Sequence, residues 1–180
     1  MRILAISGSL RAASSNTRLI AALRLVAPPG VEIVIYDGLG ELPHFNPDLD
    51  GDVLPGPAEL RRQVGLCDGL VICSPEYAHG VAGSMKNALD WLVPSLEFPE
   101  TPVALINASP HAIHADAHMR ETLTLMNARL VEAASVTIPL QGQPLTPEQL
   151  AAHPELGPRL AATLAAFTTA IATMQEGQEA

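Results

Sequence analysis

Apolar and polar positions along the chain fall into two alternating rhythms. Near-continuous apolar runs recur at residues 1–6, 31–37, 69–74, 102–109 and 130–138, the last stopped by Pro139. Short runs this rich in Val, Ile and Leu predict strands buried on both faces. Between them, apolar residues recur at three- and four-residue spacing and predict helices over 17–23, 58–66, 83–93 and 117–129. A Gly- and Pro-rich stretch over 38–57 predicts a long loop, and a Pro-rich segment after Pro139 leads to a last helix over 155–174.

Strands that alternate with helices predict an α/β chain, a five-stranded parallel sheet with helices on both faces. Right-handed crossovers then favour a flavodoxin-like three-layer sandwich with strand order 2-1-3-4-5. No internal repeat or linker interrupts the pattern. The expectation is one domain over 1–175 with a polar tail over 176–180.

The loop leaving the first strand reads Gly8-Ser9-Leu10-Arg11-Ala12-Ala13-Ser14-Ser15-Asn16. A buried strand, a polar turn and a helix start make an anion site, because the turn exposes N–H groups and the helix dipole favours negative charge. Ser9, Ser14, Ser15 and Asn16 add donors, and Arg11 adds a planar fork suited to phosphate oxygens. The loop is neither a dinucleotide G-x-G-x-x-G nor a P-loop, so a small phosphate ester is the expected ligand. A plainer reading stands beside it: Ser14, Ser15 and Asn16 cap the helix and Arg11 is a solvated charge.

A second segment follows the third strand, Ser74-Pro75-Glu76-Tyr77-Ala78-His79-Gly80, and runs into a helix that contains Lys86, Asn87, Asp90 and Trp91. In the expected strand order it faces the same crevice as the first loop. Tyr77 offers an aromatic surface, and Gly80 and Gly83 let backbone come close to a flat ligand. Lys86 could add positive potential. The structural reading of Asp90 and Trp91 is an i,i+4 ion pair with Lys86 and a core aromatic.

Composition narrows the partners. The 180 residues are 48% hydrophobic and carry a net charge of −9, which argues against a nucleic-acid or anionic-membrane surface. No apolar run reaches membrane-spanning length, and the first strand is too short for a secretory signal. Cys67 and Cys73 show no metal or CxxC spacing and read as reduced structural thiols of a cytoplasmic protein.

These two segments resemble the GSxRxxSxN loop and the PEYxxxxxGxxKNxxDW segment of the NADPH-dependent FMN reductase family, which includes quinone, chromate and azo-dye reductases. The resemblance implies FMN as cofactor, its phosphate held by Ser9, Arg11, Ser14, Ser15 and Asn16. It implies further that Pro75, Glu76, Tyr77 and Ala78 border the isoalloxazine ring, and that NADPH or NADH donates hydride. A quinone, azo, nitro or metal-oxyanion acceptor would then draw the electrons. The chemistry is the cofactor's, with no catalytic side chain assigned.

The loop after the fourth strand, over 109–118, departs from the family in lacking glycine. Ser109 still matches a ring contact, and His111 or His114 could line the pocket. His111, His114 and His118 have no acidic or cysteine partner placed by sequence, so no metal site is expected. A homodimer or tetramer is implied as well. Met85, Leu89, Trp91 and Leu92 give the third helix more apolar surface than one sheet-facing stripe needs. A flavodoxin-type electron carrier is the alternative; the scarcity of aromatic residues (3%) argues against the flavin being closely sandwiched.

Overall fold

The structure, a computed structural model, describes residues 1–140 and 144–179. In chain order it contains β1 (Arg2–Ser7), α1 (Ser15–Leu25), β2 (Glu32–Tyr36), α2 (Pro55–Gly65) and β3 (Gly69–Cys73). A small hairpin of β4 (Glu76–Tyr77) and β5 (Gly80–Val81) leads to α3 (Gly83–Leu92) and β6 (Pro102–Asn107). Then come α4 (Ile113–Leu125), β7 (Arg129–Leu130), β8 (Val136–Thr137), α5 (Pro147–Ala152) and α6 (Leu156–Glu179).

Parallel pairing runs β2-β1-β3-β6, and the outer place beside β6 is shared by β7 and β8. This is the expected 2-1-3-4-5 order. Side chains of a strand alternate between faces, so β1 feeds two cores. Ile3 and Ala5 pack with Leu19, Leu23, Leu160, Phe167 and Ile171 of α1 and α6. Leu4 and Ile6 pack with Leu60, Met85, Trp91, Met119 and Leu123 of α2, α3 and α4.

The fifth strand is broken where a continuous one is expected. Glu132, Ala133 and Ala134 are poor strand formers and take a 3-10 turn between β7 and β8. Ser135 fills the gap in the ladder: its Oγ accepts the N–H of Leu105 at 3.1 Å and donates to the carbonyl of Val131 at 3.0 Å.

Helix boundaries differ for local reasons. α2 starts at Pro55, a residue preset for the first helical turn. α4 lies one turn earlier than its apolar spacing predicts, and ends where Asn127 takes a left-handed φ of 61°. α5 lies inside the Pro-rich segment, started by a reciprocal capping box between Thr146 and Gln149. α6 continues through the residues expected as a polar tail as far as Glu179, and Ala180 lies outside the described residues.

Lys86 and Asp90 form the expected i,i+4 ion pair at 2.5 Å, and Trp91 is in the core. The apolar excess on α3, however, is consumed within the chain. Met85, Leu89, Trp91 and Leu92 are all buried, because α3 is covered by the sheet on one side and by α2 and the 38–45 segment on others. They therefore give no independent sign of an interface.

Candidate functional site

The ends of β1, β3 and β6 open into one crevice of about 530 Å³, within the range of small-ligand clefts. Ser15 and Asn16 line it from α1, Pro75 and Glu76 from the start of the hairpin, Asn107 from the end of β6, and Ser109 and His111 from the loop after it. Five residues singled out from the sequence thus share one cavity: Ser15, Asn16, Pro75, Glu76 and Ser109. Ser9, Arg11 and Ser14 build the turn that leads into it. Tyr77, 57% exposed, and Ala78 stand on the hairpin beside the crevice and do not line it.

The turn after β1 is pinned where it leaves the sheet. The Gly8 N–H donates to the Cys73 carbonyl at 2.9 Å, and its own carbonyl accepts from Ser84 Oγ at 2.9 Å. A Cβ at Gly8 would fall 2.3 Å from Ser74 Oγ, so only glycine lets the two ligand loops come this close.

Beyond Gly8 the residues divide their roles. Ser14 is buried and caps α1, its Oγ accepting the N–H groups of Asn16 and Thr17 at 3.2 and 3.4 Å. The capping reading therefore holds for Ser14, which leaves only its hydroxyl proton to offer. Asn16 is turned inward, its Oδ1 accepting from Cys73 Sγ at 3.2 Å. Ser15 Oγ accepts from Arg18 Nη2 at 3.2 Å. Arg11 is exposed, and its guanidinium has no hydrogen bond or ion pair among the described residues. A cation at the positive end of a helix with no anion beside it suits a phosphate group.

The hairpin turns through Ala78 and His79, both at positive φ (49° and 60°). A two-residue turn with both central residues left-handed matches the twist of paired strands. Without glycine it costs about 1–3 kcal/mol per residue, and such strain gathers at functional sites. The turn brings the His79 ring against that of His114, stacked with centroids 4.3 Å apart.

Glu76 is held from across the crevice. Its Oε2 accepts the backbone N–H groups of His114 and Ala115, both at 2.9 Å. These bonds, the Ala115 amide foremost, hold its carboxyl below the usual carboxylate range. Its side chain is thus committed to α4, and its backbone is what remains to border a ligand.

Asn107 is a site residue that sequence reasoning missed. Its Oδ1 accepts the Ser109 N–H at 3.0 Å and its Nδ2 donates to the Ala112 carbonyl at 3.3 Å. It thereby shapes the glycine-free loop. The available signal was an Asn closing an apolar strand, a residue type that bonds its own backbone two residues on. Of the histidines, His111 lines the crevice and His114 is engaged through its N–H and its stacked ring. Among the described residues no group of three His, Cys, Asp or Glu side chains is placed to hold a metal ion.

The motif residues Asn87 and Trp91 do not line the crevice and act on the loop after β2. Asn87 accepts the Phe45 N–H at 2.8 Å and donates to the Pro43 carbonyl at 2.9 Å, which also accepts Trp91 Nε1 at 2.8 Å. The long loop after β2 is thereby tied onto α3, with Phe45 edge-on to Trp91 at 5.1 Å.

Known proteins resemble this chain in sequence and fold. The family model of the NADPH-dependent FMN reductases matches residues 1–143. The NAD(P)H-dependent FMN reductase of Pseudomonas aeruginosa is 33% identical over 144 residues, covering 77% of each chain. A quinone reductase of Escherichia coli K12 is 30% identical over 141 residues, 73% of each chain. Among solved structures, a flavoenzyme NAD(P)H:(acceptor) oxidoreductase from Paracoccus denitrificans superposes with a TM-score of 0.76 at 25% identity. That match covers 96% of this chain and 97% of the other.

Proposed function

The chain belongs to the NADPH-dependent FMN reductase family, and from that premise we propose that the crevice seats FMN with its phosphate on the turn over 9–16. The protein is an FMN-dependent NAD(P)H oxidoreductase. When bound, FMN supplies two-electron transfer between a nicotinamide and an acceptor. The residues present fit it: a pinned glycine opens the turn, the Arg11 guanidinium has no hydrogen bond or ion pair among the described residues, and α1 offers its positive end.

Arg11 would pair with the phosphate, aided by the hydroxyls of Ser9, Ser14 and Ser15 and by the side-chain amide of Asn16. Pro75, Glu76 and Ser109, which line the crevice, would border the ring, with Tyr77 and Ala78 flanking it from the hairpin beside the crevice. The acceptor is a quinone, as the names of the curated relatives suggest, or an azo, nitro or metal-oxyanion compound of similar reach. One crevice serves both nicotinamide and acceptor, so the first must leave before the second enters, which gives ping-pong kinetics. The one domain works in the cytoplasm as a homodimer or tetramer. Among the described residues no helix is long and apolar enough to cross a membrane.

The observation that carries this reading is the gathering of Ser15, Asn16, Pro75, Glu76 and Ser109 around one cavity. An electron carrier fits less well, because Trp91 lies in the core and does not reach the crevice to cover a ring. The test is a fluorescence titration with FMN and riboflavin, followed by initial rates with NADPH or NADH and a quinone. FMN should bind far more tightly than riboflavin, and the rate plots should be parallel. Equal affinity for the two flavins would refute the phosphate turn, and intersecting plots would refute the shared crevice.

A further inference from the structure

The bond between Glu76 and α4 is unusual in where its charge is placed. The N-cap residue of α4, Ala112, has no side-chain acceptor. The cap residue therefore leaves the first N–H groups of the helix in need of another acceptor, at an end that carries a positive partial charge beside the crevice. Glu76 supplies the missing cap from the hairpin, 38 residues earlier in the chain. Asp116 in the first turn of α4 is paired with Arg120 at 2.6 Å, so the negative charge bonded to the first N–H groups of the helix is that of Glu76, which also joins the two walls of the crevice.

We propose that Glu76 is a positioning residue that lowers the reduction potential of the bound flavin. The inference rests on the crevice being the flavin site. A bare helix N-terminus beside the ring would favour the electron-rich, reduced form of the cofactor. A carboxylate locked onto that terminus withdraws the preference and adds a negative charge to the wall. Two titratable groups face Glu76, His79 from the hairpin turn and His114 from α4, and both favour its charged form. The charge is present throughout the neutral range.

Two variants separate this role from simple bracing. Glu76→Gln keeps an acceptor oxygen for both amides and removes the charge. Glu76→Ala removes both. The potential of the FMN-loaded chain is measured against a reference dye, FMN affinity by fluorescence titration, and the His114 and Ala115 amide resonances in the flavin-free chain. In Glu76→Gln we expect FMN affinity within about threefold of wild type and little change at the two amides. The ratio of reduced-form to oxidised-form affinity should rise about tenfold, a potential higher by roughly 30 mV for a two-electron couple. Glu76→Ala should raise the potential as well, with weaker FMN binding and displaced amide resonances.

A bracing role alone leaves Glu76→Gln at the wild-type potential and alters only Glu76→Ala. That result, or a lower potential in Glu76→Gln, overturns the proposal. A wild-type chain that takes up no FMN overturns the crevice reading itself, and this inference with it.

Discussion

Replacing Gly8 by alanine tests the geometry on which the site depends. An added Cβ would lie 2.3 Å from Ser74 Oγ, 2.8 Å from Ser74 Cβ and 3.0 Å from Ser74 Cα. The hydroxyl can rotate away. The other two atoms can move only if the end of β3 moves with them. Gly8 cannot retreat, because its N–H and carbonyl are both held at 2.9 Å. Overpacking of this kind costs about 1–3 kcal/mol. Alanine recovers about 0.4–1 kcal/mol by restricting the unfolded chain, since Gly8 is not at positive φ and adds no backbone strain. Steric cost wins. For a chain of this size the net loss should lower Tm by roughly 2–8 °C, read by circular dichroism. FMN binding should weaken too, because the displaced residue starts the phosphate turn. Ser74→Gly removes two of the three clashing atoms, so adding it to Gly8→Ala should restore over half the loss, a coupling of about 0.5–3 kcal/mol. A Gly8→Ala chain with wild-type Tm and wild-type FMN affinity would refute the reasoning.

Arg11→Ala should weaken FMN binding by about 1.5–3 kcal/mol, roughly 10- to 150-fold, and leave Tm unchanged because its guanidinium touches nothing else described; equilibrium dialysis and a melt check both. Asn87→Ala removes the bonds to Phe45 and Pro43 and should cost about 1–3 kcal/mol. It should also speed protease cleavage within 43–54, and an unchanged cleavage rate would count against the loop anchor. Glu76 has a folded pKa below its unfolded value of roughly 4.3. Its contribution is therefore present above that value and lost as pH falls through the folded pKa. Urea melts between pH 3 and 6 should show a shallower acid decline in Glu76→Gln than in wild type.

The fold was legible because its signals are local. β3 is apolar throughout and β1 over residues 3–6, and strands of that kind have their place in the middle of a covered sheet. The phosphate turn was legible for the same reason, being one short segment between a strand and a helix. What escaped depends on distant partners. Glu76 reads as a ring neighbour until α4 arrives to claim its carboxylate. Ser14 is a local case: its hydroxyl could serve cap or ligand, both readings were open in the sequence, and its bonds to the Asn16 and Thr17 N–H groups show it capping. The burial of Met85, Leu89, Trp91 and Leu92 needs the 38–45 segment, whose irregular backbone has no periodicity to read. Asn127 and the Thr146–Gln149 box were visible signals for the ends of α4 and α5.

The broken strand beside β6 bears on how copies of this chain behave when crowded. An exposed edge with a full row of free N–H and carbonyl groups is a template on which another chain can add a strand and start aggregation. Here that margin offers two strands of two residues each, divided by a 3-10 turn, with a serine hydroxyl standing in for a backbone acceptor. No incoming strand can keep register across the interruption. The opposite margin, β2, is five residues long and unbroken. Any strand-mediated association of concentrated protein must therefore begin at β2, where the exposed charge of Glu32 at its start is the local guard. Replacing Glu32 with a neutral β-branched residue removes that guard from the vulnerable side of the sheet.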